Sequence, residues 1–162
     1  MIVLGVDPGS RVTGLGVIDV QGNRLIHIHS EALRFPADQP IGARMVRMVD
    51  HVEKLVTTYR PQVISLEKVF HAVNVKSTLT LGYMRGAVLY QASRMGIPVA
   101  EYAATEVKVA VTGYGRAEKH QVQDMVRMLL NLAKPPKPHD ISDALALAIC
   151  HAHTNPAALR DL

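Results

Sequence analysis

The first third of the chain alternates between short apolar runs and turn residues, a pattern typical of β-strands. Residues 2–6 form a continuous apolar run, which is typical of a strand buried on both faces. Residues 14–20 and 24–33 read as two further strands, separated by turn residues at 21–23. Because these connections are too short for a helical crossover, the three strands are predicted to form an antiparallel meander.

Beyond residue 40, apolar residues recur at helical spacing and two short strands interrupt them. The pattern predicts helices at 41–59, 77–95, 105–112, 118–132 and 140–153, and strands at 62–66 and 97–102. Ser77, Thr105 and Asp140 are the candidate N-caps of three of these helices. The order of elements predicts an α/β fold with a mixed sheet of about five strands, the later strands being parallel to the first.

Length and composition indicate one compact domain. The chain has 162 residues, which suits a single domain over residues 1–153 followed by a frayed tail at 154–162. The single cysteine, Cys150, excludes a disulfide framework and a cysteine-based zinc site. Neither a basic leader nor an apolar run of about 18 residues is found, so we expect no signal peptide, no membrane partner and a cytoplasmic location.

Two acidic residues each follow an apolar strand directly. Asp7 comes after residues 2–6, and Glu67 after the run that ends at Leu66. Taken singly, Asp7 could cap the following turn, and Glu67 could be a solvated strand end paired with Lys68. Ligands of α/β proteins gather outside the carboxyl ends of strands, however, so two acids at two such ends indicate a common site.

A second pair of acids opens the last predicted helix. Asp140 and Asp143 are three residues apart and project from one face. Asp140 is equally suited to a helix cap, but Asp143 lies in a helix that is apolar almost all round and therefore buried, so its charge needs a cation. His139 flanks the pair and is a candidate for contacting the same site.

The combined chemistry of these residues indicates a hard cation. Carboxylate oxygens without cysteine select Mg²⁺ or Mn²⁺ over zinc, and two such ions can serve phosphodiester hydrolysis. With four of the 14 acids placed in one site, the rest of the chain carries 18 basic and 10 acidic residues, a net charge of +8. A cationic surface around an anionic pocket is typical of a protein that binds nucleic acid.

Several further residues have two readings. Phe70, three residues after Glu67, is either a core anchor or an aromatic ring that stacks on a base. Five basic residues are either ordinary surface charges or, taken together, ligands for phosphates: Lys76, Arg85, Lys108, Arg116 and Lys119.

The motifs taken jointly resemble the RuvC family of bacterial Holliday junction resolvases. The matching segments are Val6-Asp7-Pro8-Gly9-Ser10, Glu67-Lys68-Val69-Phe70 and Asp140-Ile141-Ser142-Asp143-Ala144, together with Arg85-Gly86, Val107-Lys108 and Gly115 with Lys119. The resemblance extends over about residues 1–153. It implies a ribonuclease H-like fold with a five-stranded mixed sheet.

The resemblance also implies an activity and residue roles. Asp7, Glu67, Asp140 and Asp143 would hold two Mg²⁺ ions, with Mn²⁺ as a substitute, Lys108 and Lys119 would be catalytic, and Phe70 would open the junction. The family acts as a homodimer together with the RuvA–RuvB branch-migration complex. It makes paired nicks in strands of like polarity during recombination and repair, and the nicks carry 5′-phosphate and 3′-hydroxyl ends.

Other functions remain open at this point. The segment from Asp7 to Gly16 is similar to the phosphate-binding hairpin of sugar kinases and actin-like ATPases, of which this chain would be half. A ribonuclease H-like nuclease with another substrate, such as an RNA–DNA hybrid, is a second alternative. A junction-binding protein without catalysis is a third.

Overall fold

The computed structural model describes residues 1–68 and 75–154, so Phe70 and residues 155–162 lie outside the described part. In chain order its elements are β1 (Ile2–Asp7), β2 (Val12–Gln21), β3 (Arg24–Arg34), α1 (Ile41–Tyr59), β4 (Val63–Glu67), α2 (Val75–Arg94), β5 (Val99–Tyr102), α3 (Ala104–Thr112), α4 (Lys119–Leu129) and α5 (His139–Thr154).

The strands form one mixed sheet in the order β3-β2-β1-β4-β5. β1, β2 and β3 pair antiparallel as a meander, and β4 and β5 join β1 in parallel. The predicted five-stranded mixed sheet is therefore confirmed, because short turns permit only antiparallel neighbours while helices α1 and α2 supply the crossovers that parallel strands need.

The sheet separates two hydrophobic cores. Helices α1 and α2 cover one face, and α3, α4 and α5 cover the other. Successive side chains of a strand point to opposite faces, so Val3 belongs to the core under α5 and Leu4 to the core under α1. By the same alternation, Asp7 at the end of β1 lies on the α5 face.

A row of small residues lets α5 approach the sheet closely. Gly16, Gly5 and Ser65 are direct neighbours on β2, β1 and β4. A Cβ atom on Gly5 would lie 1.9 Å from the carbonyl oxygen of Ala144, and one on Gly16 would lie 2.7 Å from the Leu145 side chain. The Ser65 hydroxyl donates to the Leu147 carbonyl at 2.7 Å, so the helix backbone rests directly on the central strands.

Helix starts differ from the predicted caps. Helix α2 begins at Val75 and α3 at Ala104, so Ser77 and Thr105 lie inside helices and cap neither. The start of α3 is held instead by the Glu106 carboxylate, which accepts a hydrogen bond from the Ala103 N–H at 2.6 Å. Helix α5 begins at His139, which puts Asp140, predicted as its cap, within the first turn.

Helix ends follow the predictions more closely. Helix α1 ends at Tyr59, and Arg60 adopts a left-handed conformation with φ 51° before Pro61. Helix α4 ends at Leu129, earlier than predicted, and β5 begins at Val99, after the proline that precedes it. No helix within residues 1–68 and 75–154 has the length and hydropathy that crossing a membrane requires.

The close contact between α5 and β1 predicts a large effect of one methyl group. Gly5→Ala places that group against backbone, which cannot yield as a flexible side chain can, so we expect a loss of about 1–3 kcal/mol or more in the free energy of unfolding. Urea denaturation measures it. Gly42→Ala on α1 is the matched control, since a Cβ there meets nothing within 4 Å, and it should be no less stable than the wild type. Equal stability of the two variants would contradict the packing.

Candidate active site

Strand pairing brings two of the predicted acids together. β1 and β4 are parallel neighbours in which Val6 pairs with Leu66, so Asp7 and Glu67 end adjacent strands side by side. Glu67 shares the face of Ser65, which bonds to α5, just as Asp7 shares the face of Gly5. Both carboxylates therefore lie at the carboxyl edge of the sheet and on the α5 face.

The start of α5 brings the other acids to the same edge. Gly14 pairs with Asp7 across the β1–β2 ladder. A Cβ atom on Gly14 would lie 1.8 Å from the carbonyl oxygen of Asp140, so the first turn of α5 passes directly over this position. Asp143 follows one turn later, on the same side of the helix.

A pocket of about 350 Å³ joins these elements. Three of the four predicted acids line it, Asp7, Glu67 and Asp143, and Lys108 and Lys119 complete its polar wall. Its apolar wall consists of Ala104, Val107, Val122, Ala146 and Leu147. Asp140 does not line the pocket, but its charge acts on both Asp7 and Asp143.

The electrostatics show how strongly these groups interact. The pKa of Asp7 is raised to about 7, first by burial and then by the negative charges of Asp143, Glu67 and Asp140 in that order, while Lys119 opposes them. Burial, followed by the charge of Asp143, raises the pKa of Glu67. A carboxyl that titrates near neutral pH is one whose negative charge its surroundings do not yet balance.

The donor set fits a divalent cation. Among residues 1–68 and 75–154, no three His, Cys, Asp or Glu side chains form a ready-made coordination cluster. Three of the acids instead line one pocket, and the fourth, Asp140, acts on Asp7 and Asp143 through its charge. Their oxygens are hard ligands, and a cation between them would restore the charged form of Asp7.

Helices α3 and α4 position the two lysines. Lys119 is the first residue of α4 and lowers the pKa of Asp7, Glu67 and Asp143 against the effect of burial. Lys108 on α3 acts in the same direction on Glu67 and Asp143. Both ammonium groups are thus close enough to the pocket to act on an anion bound there.

Buried polar contacts fix α4 relative to α5. The Pro136 carbonyl accepts hydrogen bonds from the Gln123 side-chain amide on α4 and from the Ser142 hydroxyl on α5, the latter at 3.1 Å. At the start of α4, the Glu118 N–H donates to the Gln121 side chain at 2.8 Å. The distance between Lys119 and Asp143 is therefore set by groups that are themselves hydrogen-bonded.

Arg85, predicted to bind DNA, has partners within the chain. Its guanidinium forms an ion pair with Glu101 on β5 and donates from Nε to the Glu67 carbonyl at 3.3 Å. It therefore holds the end of β4 in place beside β5. This contact was not predicted from the sequence, although Glu101 in an otherwise apolar strand was a signal that a cation lies against it.

The remaining predicted residues lie around the pocket or outside the described residues. His139, the first residue of α5, is exposed, and its charge lowers the pKa of Asp143. Lys76 lies at the start of α2 and Arg116 between α3 and α4; both are exposed and neither lines the pocket. Phe70 belongs to the segment 69–74, outside the described residues.

Known proteins resemble this chain along nearly its whole length. A family described as crossover junction endodeoxyribonuclease RuvC matches residues 3–151. The RuvC of Heliobacterium modesticaldum is 48% identical over 154 residues, 95% of each chain. The RuvC of Citrifermentans bemidjiense is 49% identical over 154 residues, 95% of this chain and 93% of the relative.

A solved structure agrees with the sequence matches. Thermus thermophilus RuvC in complex with Holliday junction substrate superimposes with a TM-score of 0.92 at 34% identity, covering 98% of this chain and 97% of that one. The predicted ribonuclease H-like fold is confirmed, and the alternative of half an actin-like or sugar-kinase ATPase is set aside. The chain belongs to the RuvC family of crossover junction endodeoxyribonucleases.

Proposed function

We propose that this chain resolves four-way DNA junctions by metal-dependent hydrolysis of phosphodiester bonds. Paired nicks in strands of like polarity would leave 5′-phosphate and 3′-hydroxyl ends. The observation that carries the proposal is the pocket in which Asp7, Glu67 and Asp143 meet two lysines. The family's description as a crossover junction endodeoxyribonuclease supports it, as does the T. thermophilus relative solved with a Holliday junction.

The acids are proposed to hold two Mg²⁺ ions, for which Mn²⁺ can substitute. Asp7 is the acid whose pKa all three other carboxylates raise, Asp143 most and Asp140 least. It would therefore be the principal ligand among the four acids that hold the ions. When bound, such ions supply a nucleophilic water at neutral pH and stabilise the leaving oxygen.

The lysines are proposed to act on the phosphate. Lys119 and Lys108 face a pocket that would otherwise repel an anionic backbone. Their charges attract the scissile phosphodiester and offset the negative charge that grows on it during hydrolysis. We propose that exposed Arg116 and the segment with Phe70 add affinity around this centre, Phe70 by stacking on a base. His139, which acts on Asp143, is proposed to support the same carboxylate.

A homodimer is proposed through the outer face of α2. Val75, Leu79, Tyr83 and Tyr90 are 78%, 54%, 48% and 61% exposed, and their spacing of four, four and seven residues puts them on one side of the helix. A second copy is the occupant that fits, because a four-way junction has approximate two-fold symmetry. A two-fold dimer would bring one site to each of two symmetric nicks.

The cellular setting is proposed on the family resemblance. The protein would work in the cytoplasm with the RuvA–RuvB branch-migration complex, in recombination and repair. The buried, unpaired thiol of Cys150 is compatible with a reducing compartment.

Substrate choice decides between this function and a ribonuclease H-like nuclease of another class. The purified protein is incubated with Mg²⁺ and a four-way junction, an RNA–DNA hybrid or a linear duplex of the same sequence. We expect symmetric nicks in the junction alone. Faster cleavage of the hybrid would favour the alternative, and binding without any cleavage would favour a non-catalytic junction protein.

Removing one carboxylate charge should separate binding from cleavage. Asp7→Asn keeps the size of the side chain but removes the charge of the principal ligand. We therefore expect junction affinity to remain and cleavage with Mg²⁺ to fall by more than about 100-fold. Loss of a residue that only supports a metal ligand already lowers activity by about 10–100-fold. Asp124→Asn, which neutralises an exposed acid on α4, is the control and should cleave normally. Normal cleavage by Asp7→Asn would contradict the proposed chemistry.

The raised pKa of Asp7 predicts how stability depends on pH without metal. The folded protein keeps a proton on Asp7 up to about pH 7, whereas the unfolded chain loses it near the ordinary pKa of 3.8. The free energy of unfolding should therefore fall as pH rises through this window, by up to about 4 kcal/mol from this group. Urea titrations in EDTA measure the fall, and Asp7→Asn should flatten it. An equally steep curve in that variant would contradict the prediction.

A charge on the α2 face tests the dimer. Leu79→Glu adds a carboxylate to the centre of the exposed apolar face, where a second copy would have to bury it without a partner. Sedimentation should show a dimer for the wild type and a monomer for the variant, and circular dichroism should show the same secondary structure in both. Thr58→Glu on exposed α1 is the control, and it should remain a dimer.

A further inference from the structure

A second pocket opens at the β1–β2 turn, which follows Asp7 in the chain; of its lining residues, only Lys76 was given a predicted functional role above. Its volume is about 390 Å³, and it lies between the β1–β2 turn, the start of α1 and the start of α2. The polar residues that line it are Ser10, Arg11, Arg44, Lys76, Ser77 and Thr80. Three are cationic and three carry hydroxyl groups, and none of the lining residues within the described part of the chain is an acid; the nearest acid in sequence is exposed Asp38, beside the lining residue Ala37.

Arg44 brings a positive charge that its own hydrogen bonds do not neutralise. Its guanidinium donates to the carbonyl oxygens of Ser10 at 2.8 Å, Gln39 at 2.8 Å and Ala37 at 2.9 Å. These acceptors are neutral, so the half-buried guanidinium keeps its full charge beside the pocket. Together with exposed Arg11, it makes the pocket attractive to an anion.

The pocket is built on backbone that is already fixed. The Arg11 carbonyl accepts from the Phe35 N–H at 2.8 Å, and the Gly9 N–H donates to the Thr13 hydroxyl at 3.2 Å. A Cβ atom on Gly9 would lie 1.9 Å from the Val12 carbonyl oxygen, which shows how tightly the turn closes. A preformed cationic wall with hydroxyl donors binds an anion with little further ordering.

The position of the pocket identifies the class of anion. Ser10 follows Asp7 by three residues, a path of at most about 11 Å. A nucleic acid strand advances about 3.4 Å per nucleotide, so a strand cleaved at Asp7 passes this turn within about three nucleotides. We propose that the pocket binds a backbone phosphate of the cleaved strand, close to the scissile bond, and so sets the register of that strand in the active site. This proposal rests on the proposed function.

The salt dependence of junction binding tests the contact. Arg11→Gln is compared with Arg94→Gln, which removes an equal charge from the exposed far end of α2. Affinities are measured in EDTA, where binding does not depend on cleavage. We expect the slope of log K against log salt to become shallower by about 0.9 in Arg11→Gln and to stay unchanged in Arg94→Gln. Equal slopes in both variants would overturn the proposal.

Neutral phosphate analogues locate the contact. A set of junctions carries one methylphosphonate each, at successive positions on either side of the cut. One position within about three nucleotides should weaken binding by the wild type but leave Arg11→Gln unaffected, because that variant has already lost the contact. Penalties that are the same in both proteins at every position would overturn the proposal.

Inorganic phosphate separates a strand phosphate from a free one. Binding of inorganic phosphate to the wild type and to Arg11→Gln is measured by calorimetry. Tight binding by the wild type alone, together with equal methylphosphonate profiles for the two proteins, would show that the pocket binds a free anion. That result would overturn the proposal. If one methylphosphonate weakens junction binding by the wild type but not by Arg11→Gln, yet the wild type never cuts the junction, the proposed function is refuted and the phosphate contact stands.

Discussion

The active site depends on the unusually close contact between helix α5 and the middle of the sheet. Gly5, Gly14 and Gly16 leave no side chain between the strands and the helix backbone, and the Ser65 hydroxyl bonds to a helix carbonyl. Only at this separation does the start of the helix reach the carboxyl edge where β1 and β4 end. The same glycines that close the core therefore bring Asp143 to Asp7, and fold and chemistry rest on one packing contact.

Gathering acids at this edge has an electrostatic cost that the rest of the molecule offsets. Burial and three neighbouring carboxylates raise the pKa of Asp7, and Lys119 reduces that effect without removing it. Metal ions would complete the balance, and the net positive charge outside the site favours the approach of a polyanion. The role proposed for the second pocket extends this arrangement, because its arginines add positive charge at the turn that follows Asp7.

Much of this could be predicted because the signals are local. The meander, the five helices and the end of α1 at Arg60 follow from apolar spacing and turn residues. Asp7 and Asp143 stood out because a carboxylate beside a buried apolar run is costly unless something compensates for it. The cap positions were wrong at Ser77 and Thr105, because both residues lie inside helices; α3 begins one residue before Thr105, where the Glu106 carboxylate accepts from the Ala103 N–H.

The sequence by itself determined the order of strands and helices, the two-faced sheet and the acids that face α5, because periodicity and burial cost can be read from neighbouring residues. Only the tertiary structure decided what the long polar side chains do. Arg85 contacts Glu101 and the end of β4, and Arg44 binds three carbonyls, one of them 34 residues away along the chain. Such contacts depend on the distances between elements that are remote in sequence. Those distances cannot be predicted from the spacing of residues along a single element.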